Sequence, residues 1–139
     1  MTEELKKRMI ALGIDENYSR LTGLQIVDLD DGRAVLELPI EPHILNRWGT
    51  PHGGAIFTLC DVACGMANVT LRQESCVTVN ASVDFIAAAP DHGTLRAIGT
   101  VEKQGGKLSF LRAEVRDENG RLIASARSVM TFTGGELLK

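Results

Sequence analysis

The chain has 139 residues, of which 44% are hydrophobic and 24% charged, and its formal net charge is −3. This length suffices for one hydrophobic core but not for two, so we predict a single domain over residues 1–139, with an N-terminal helix in 1–17 and the core in 18–134. The acidic balance argues against nucleic acid as a partner, because phosphate backbones bind basic surfaces.

The first half of the chain alternates between helical and strand periodicity. Apolar spacing from Glu3 to Leu12 predicts a short amphipathic helix. Looser alternation on both sides of Asp30-Asp31-Gly32 predicts a hairpin formed by residues 24–29 and 33–40. Residues 42–52 are irregular, and apolar residues then occupy nearly every face of a helix from Gly53 to Leu71, which predicts a buried helix.

After Glu74 the apolar period changes to two. This predicts strands over 77–85, 94–102, 108–116 and 122–132, joined by short turns and therefore antiparallel. The long helix is the only element able to cover one face of such a sheet. The predicted fold class is α+β, with an antiparallel sheet of five or six strands around a long central helix.

Cysteine usage and the N-terminal sequence predict a cytoplasmic protein. Three cysteines without framework spacing indicate reduced thiols, and the polar N-terminus has no apolar signal core. Thr58, Asp61 and Asn68 interrupt the long apolar run, so we expect no membrane span. Cys60 and Cys64 lack the spacing and the fourth ligand of a metal site, so we predict buried thiols and no metal.

Asp61 is the only formally charged residue between Gly53 and Leu71. A carboxylate in a buried helix is costly unless it has partners or a function, which makes Asp61 a candidate for catalysis. The structural alternative places Asp61 on a solvent-exposed face of the helix or in a hydrogen bond to a loop backbone. This single observation does not separate the two interpretations.

His52-Gly53-Gly54 begins the same helix. Two glycines allow a ligand to approach the backbone closely, and the free N–H groups of a helix N-terminus stabilise negative charge such as a thioester oxyanion. A tight turn that requires glycine is the structural alternative.

Asp61 lies eight residues beyond Gly53, roughly 12 Å along the helix axis, so one carbonyl group cannot contact both. If they act together, Asp61 must come from a second subunit, as in two antiparallel helices about a two-fold axis.

Other polar residues are weaker candidates. Asn46 could hold a water molecule or a carbonyl oxygen, although a loop asparagine is commonly a local cap. Thr78 could orient a water molecule, although threonine is also a common strand residue. Lys107 could contact a phosphate group of a ligand, although most surface lysines are solvated.

The pattern Asn46, Gly49, His52-Gly53-Gly54 and Asp61 resembles the signature of the hotdog-fold thioesterases related to the phenylacetate-degradation protein PaaI. The resemblance covers roughly residues 18–132. It implies a sheet wrapped around the long helix, homodimers and usually homotetramers, and hydrolysis of acyl-CoA thioesters without a cofactor.

The resemblance also implies roles for individual residues. Asp61 would be the general base or the nucleophile, the Gly53 N–H would polarise the thioester carbonyl, and His52 and Asn46 would support that side. Thr78 occupies a position where relatives carry a hydroxyl residue that places water. Candidates for substrate contacts are Trp48, Gly54, Phe57 and Lys107.

Two other functions remain open at this stage. A hotdog hydratase or dehydratase acting on acyl-CoA would need a histidine and an acidic residue as an acid–base pair on one substrate. A non-catalytic acyl-CoA binding module would explain a pocket but not a charged residue within the helix. Arylacetyl, hydroxybenzoyl, medium-chain and short-chain acyl groups are all compatible with these residues.

Overall fold

The computed structural model describes residues 1–138. Its helices are α1 (Glu3–Ile14), α2 (Asn17–Thr22) and α3 (Gly53–Arg72), with a short 3₁₀ helix at Pro42–Ile44. Its strands are β1 (Gln25–Asp30), β2 (Arg33–Pro39), β3 (Glu74–Phe85), β4 (Thr94–Gln104), β5 (Leu108–Arg116) and β6 (Leu122–Glu136).

The six strands form one antiparallel sheet in the order β1-β2-β4-β5-β6-β3. Helix α3 packs against β2, β3, β4 and β5 on one face of this sheet. The predicted α+β class, with a sheet of five or six strands around a long helix, is confirmed. The predicted hairpin of β1 and β2 and the long helix at Gly53 are confirmed as well.

Two details differ from the sequence prediction. Strand β3 is not joined to β4 by a short turn, because β3 pairs with β6 at the edge of the sheet and residues 86–93 carry the chain past β6 and β5 to β4. Strand pairing is decided by long-range contacts that hydrophobic alternation does not encode. The helix α2 was not predicted, since its six residues are too few to establish a period.

Helix α3 buries one side and leaves the other accessible. Leu59, Ala63 and Ala67 are fully buried against the sheet, whereas Phe57 is 40% exposed and Asp61 is half-buried. The sequence predicted a helix that is buried on nearly every face, and this prediction is wrong for the face that carries Phe57 and Asp61. By length and composition α3 would qualify as a membrane span, but 56% of its most apolar window is buried within this fold.

Gly99 on β4 allows α3 to lie directly on the sheet. A Cβ atom at Gly99 would collide with the carbonyl group of Ala63 and would also lie 3.0 Å from the backbone nitrogen of Cys64. Backbone atoms cannot rotate away as a flexible side chain can. The substitution therefore requires the helix to move off the sheet.

We expect Gly99→Ala to lower the free energy of unfolding by about 1–3 kcal/mol, as overpacking in a well-packed core does. Urea unfolding followed by circular dichroism measures this change. Gly106→Ala is the control with the same substitution, because a Cβ at this exposed position would meet no atom within 4 Å, and it should leave the free energy of unfolding nearly unchanged. Wild-type stability in Gly99→Ala would contradict the close helix–sheet contact.

Candidate functional site

The N-terminus of α3 is capped by His52. The Nδ1 atom of His52 accepts a hydrogen bond from the Gly54 N–H at 2.8 Å, and the His52 carbonyl accepts from the N–H groups of Ala55 and Ile56. The Gly53 N–H makes no hydrogen bond within residues 1–138. Since helix N-termini carry partial positive charge, this free N–H is suited to bind an oxygen that becomes negative.

The turn before α3 is held by the side chain of Asn46. Its Oδ1 accepts hydrogen bonds from the N–H groups of Trp48 at 2.9 Å and Thr50 at 3.2 Å, and its Nδ2 donates to Thr50 Oγ1 at 3.0 Å. Gly49 closes the turn with a φ of 79°, which suits glycine. The Asn46 amide group is thus occupied within its own turn, where it positions the chain that leads to His52.

Asp61 lies two turns further along α3, and Thr78 of β3 binds it. The Thr78 hydroxyl donates a hydrogen bond of 2.7 Å to Asp61 Oδ1. The register of β3 with β6 shifts between Thr78 and Asn80, and such bulges re-aim side chains near functional sites. Asp61 is half-buried, neither in open solvent nor in the apolar core. Its second carboxylate oxygen has no hydrogen bond within the described chain.

A cavity of about 640 Å³ opens beside Asp61. It lies between α3, the N-terminal helices and the first half of β3, and its walls include Phe57, Asp61 and Thr78. This volume is within the range of small-molecule sites. The structure therefore brings three of the predicted site residues together at one cavity.

The remaining predicted residues lie outside this cavity in a single chain. His52, Gly53 and Gly54 are at the start of α3, roughly 12 Å from Asp61 along the axis. Trp48 is 79% exposed at the tip of the Asn46 turn, with the Arg47 guanidinium 5.6 Å from its ring centre. Lys107 is exposed in the turn between β4 and β5, and its carbonyl accepts a hydrogen bond from Thr131.

Sequence reasoning missed the contribution of the N-terminal helices. Met9, Leu12 and Gly13 of α1 line the cavity, as does Tyr18 of α2, whose hydroxyl lies 3.2 Å from Thr58 Oγ1. Nothing in the amphipathic pattern of α1 shows which element its apolar face contacts. Gly65 also lines the cavity. Because Gly65 follows Asp61 by four residues, the sequence alone could have indicated that the two lie on the same face of the helix.

The surroundings of the three cysteines disfavour the thiolate form. Burial, and then the neighbouring Asp61 charge, raise the pKa of the Cys60 thiol to about 12. Burial also raises the pKa of Cys64 to about 12 and that of Cys76 above its usual value. The part of the chain that the structure describes holds no cluster of three potential metal ligands among histidine, cysteine and carboxylate residues.

Comparison with known proteins shows the family. The model of the thioesterase superfamily matches residues 49–124, more than half of the chain. Human acyl-coenzyme A thioesterase 13 is 29% identical over 130 residues, covering 91% of this chain and 93% of the relative.

Solved structures agree with this match. The PaaI protein of Escherichia coli superposes with a TM-score of 0.87 at 24% identity, covering 94% of each chain. A hypothetical thioesterase from Streptococcus pneumoniae, solved with coenzyme A, superposes with a TM-score of 0.76 at 27% identity, covering 81% of this chain and 90% of the other. The chain belongs to the thioesterase superfamily and is a PaaI-like thioesterase with the hotdog fold.

Proposed function

We propose that this protein hydrolyses acyl-CoA thioesters to a free acid and CoA, with Asp61 as the catalytic carboxylate. The observation that carries the proposal is the half-buried Asp61 carboxylate at the wall of a 640 Å³ cavity, with the Thr78 hydroxyl 2.7 Å away. The acyl-CoA thioesterases among the relatives and the coenzyme A bound to a structural neighbour support this substrate class.

The geometry supports two routes for Asp61. As a general base, the carboxylate takes a proton from water while the water oxygen attacks the thioester carbonyl. The tetrahedral intermediate then collapses with cleavage of the C–S bond, and the CoA thiolate that leaves takes up a proton. As a nucleophile, the carboxylate attacks the carbonyl itself, the C–S bond breaks and the CoA thiolate leaves and takes up a proton; water then hydrolyses the mixed anhydride to the free acid and the Asp61 carboxylate. In both routes the carbonyl oxygen becomes negative, and the Gly53 N–H stabilises it.

We propose that each site is shared between two copies of the chain. Asp61 and Gly53 are eight residues apart on one straight helix, too far to contact the same carbonyl group. In a two-fold dimer with antiparallel helices, Asp61 of one copy faces the Gly53 N–H of the other. A homotetramer of two such dimers is the assembly that we expect from the resemblance to PaaI-like proteins.

The edge of the sheet supports the same assembly. Strand β3 ends the sheet and pairs only with β6 within residues 1–138, so its other side carries unpaired backbone groups. Large apolar residues on and beside this strand are also exposed, from 52% to 58%: Val77, Val79, Phe85 and Ile86. Exposed, apolar edge strands pair readily with another chain, and β3 carries Thr78 of the site.

Residues outside the single-chain cavity acquire roles in this shared site. The exposed Trp48 follows the Asn46 turn, close in sequence to Gly53, so we propose that it borders the acyl group bound at the neighbouring copy. Gly54 has no side chain that would cover the backbone next to the thioester carbonyl. A Cβ atom at Gly54 would lie 3.0 Å from His52 Nδ1. Lys107 is our proposed contact for a phosphate of CoA. We expect the protein to act in the cytoplasm without a cofactor.

A hydratase or dehydratase is less compatible with the site. His52 Nδ1 is bound to the Gly54 N–H, so the ring supports the helix N-terminus and does not form an acid–base pair with Asp61 in the same chain. The experiment that tests the proposal is a panel of acyl-CoA esters in which a thiol-reactive dye detects released CoA. Release from no ester, or loss of the enone absorbance of an enoyl-CoA, would overturn it.

We expect Thr78→Val to reduce kcat about tenfold with little change in KM. Valine keeps the shape of threonine but removes the hydroxyl that holds Asp61 Oδ1, and a hydrogen bond to a charged group contributes about 1.5–3 kcal/mol, with the lower end appropriate to an exposed residue. Steady-state kinetics on one acyl-CoA ester measures the effect. Thr78→Ser retains the donor and should recover most of the rate; equal rates for the valine and serine variants would exclude this positioning role.

A further inference from the structure

The cavity beside Asp61 has accessible polar wall residues and buried apolar ones. The polar wall residues are all exposed or half-buried: Glu16, Tyr18, Thr58, Asp61, Ser75 and Thr78. Its most buried wall residues are apolar, namely Met9, Val69 and Met130. A ligand that fits this wall has a polar group next to Asp61 and an apolar tail that extends towards the buried residues.

The direction of the tail follows from the helix face. Asp61, Gly65 and Val69 are spaced by four residues, so they share one face of α3, and all three line the cavity. Leu137 also lines it, and the Leu137 N–H donates to the carbonyl of Gln73, the residue that caps α3. The cavity therefore runs along α3 from Asp61 towards the C-terminal end of the helix.

Gly65 is not required by the packing of this chain. A Cβ atom at Gly65 would have Met130 Cε as its nearest neighbour, at 3.9 Å, which is an ordinary contact. Gly99 differs, because a Cβ there would collide with the α3 backbone. A glycine within a helix weakens it relative to alanine, so a glycine without a packing reason indicates space kept for something else.

We propose that this cavity is the subsite for the tail of an unbranched, medium-chain acyl group, and that Gly65 sets the chain length it accepts. The inference rests on the proposed thioesterase function. Asp61 and Val69 are roughly 12 Å apart along the axis, and an extended chain advances roughly 1.2 Å per bond, so a tail of about eight to ten carbons spans this distance. An arylacetyl group is shorter and leaves the wall at Val69 and Leu137 uncovered.

The first test is the chain-length profile of kcat/KM from butyryl-CoA to dodecanoyl-CoA, with phenylacetyl-CoA included. For the wild type we expect kcat/KM to rise about three- to fourfold per methylene group that becomes buried, and to level off near decanoyl-CoA. In Gly65→Ala, Gly65→Val and Gly65→Leu the maximum should move to progressively shorter chains, with the decanoyl-to-butyryl ratio at least about tenfold lower in the leucine variant.

Ala11→Leu is the matched control, because Ala11 is exposed on α1 next to Leu12 but is not part of the cavity wall. Its chain-length profile should equal that of the wild type. An unchanged profile in Gly65→Leu, or a wild-type preference for phenylacetyl-CoA, would overturn the proposal. Dissociation of the Gly65→Ala oligomer in sedimentation would also overturn it, since Gly65 would then serve a contact between copies.

The second test does not depend on turnover. Cys76 lines the cavity and is half-buried, so S-decyl-CoA, a thioether that cannot be hydrolysed, should slow alkylation of Cys76 at least about fivefold, whereas CoA alone should not. Mass spectrometry follows this thiol, with the buried Cys60 and Cys64 as internal controls. Equal labelling with both ligands refutes the subsite even if esters are hydrolysed, whereas protection without hydrolysis of any ester refutes only the proposed function.

Discussion

Asp61→Asn should lower kcat for acyl-CoA hydrolysis by about 10²- to 10⁴-fold, the range that a positioned general base contributes. The amide oxygen of asparagine can still accept the hydrogen bond from Thr78, so the local structure should remain while the proton acceptor is lost. Release of CoA from an acyl-CoA ester, measured at saturating substrate, gives the effect directly. Asp61→Ala should show a loss of similar size.

A matched control separates this effect from a change in net charge. Asp30 lies at the end of β1, the strand at the opposite sheet edge from β3, and its Oδ1 accepts a hydrogen bond from the Asp31 N–H. Asp30→Asn keeps that bond and should retain the wild-type kcat. The thermal midpoints of both variants should lie within a few degrees of the wild type. A kcat for Asp61→Asn within a factor of three of wild type would rule out Asp61 as the catalytic carboxylate.

Gly53→Pro should lower kcat by about 10²- to 10³-fold, the usual effect of losing one oxyanion donor. Proline has no N–H, yet it is favoured at the first position of a helix, so the fold should tolerate the change. His52 already has φ −62° and ψ 141°, the extended conformation that a residue before proline requires. Gly53→Ala keeps the N–H, and its Cβ would be 3.4 Å from the exposed Phe85 ring, so this control should retain most of the activity.

Mixed assemblies of the two inactive variants test whether the site is shared. When Asp61→Asn and Gly53→Pro chains are coexpressed with different affinity tags, a mixed dimer has one site with both defects and one site with none. Random pairing should therefore restore about a quarter of the wild-type activity, and the isolated mixed dimer about half. Mixtures that remain inactive, or a fully active monomer in sedimentation, would show that the two residues do not meet across subunits.

The candidate site residues on α3 stand out in the sequence because they differ from their apolar surroundings. The stability of the helix is lowered by a single carboxylate among apolar residues and by a glycine pair at its start. Such unfavourable residues can be recognised in the sequence alone. The spacing of Gly53 and Asp61 even predicted that one chain could not complete the site. The helix runs without interruption from Gly53 to Arg72, so this spacing argument applies to the folded protein.

Other features depend on contacts that lie far apart in sequence. Asn46 and His52 were predicted to support the carbonyl side, but only the structure shows that Asn46 binds its own turn and that His52 caps Gly54. The pairing of β3 with β6, which places Thr78 beside Asp61, could not be predicted from alternation, because alternation does not identify which strands are neighbours.

The sequence by itself determined all the strands and long helices, the α+β class and the positions of Asp61 and Gly53 on one helix, because hydrophobic period, turn residues and a single charge within an apolar helix can be recognised over a few residues. Only the tertiary structure decided which edge of the sheet β3 occupies, which face of α3 remains accessible and that α1 forms part of the cavity wall. Those features come from the packing of apolar surfaces, which is not directional, so the same pattern is compatible with several arrangements until the whole chain is folded.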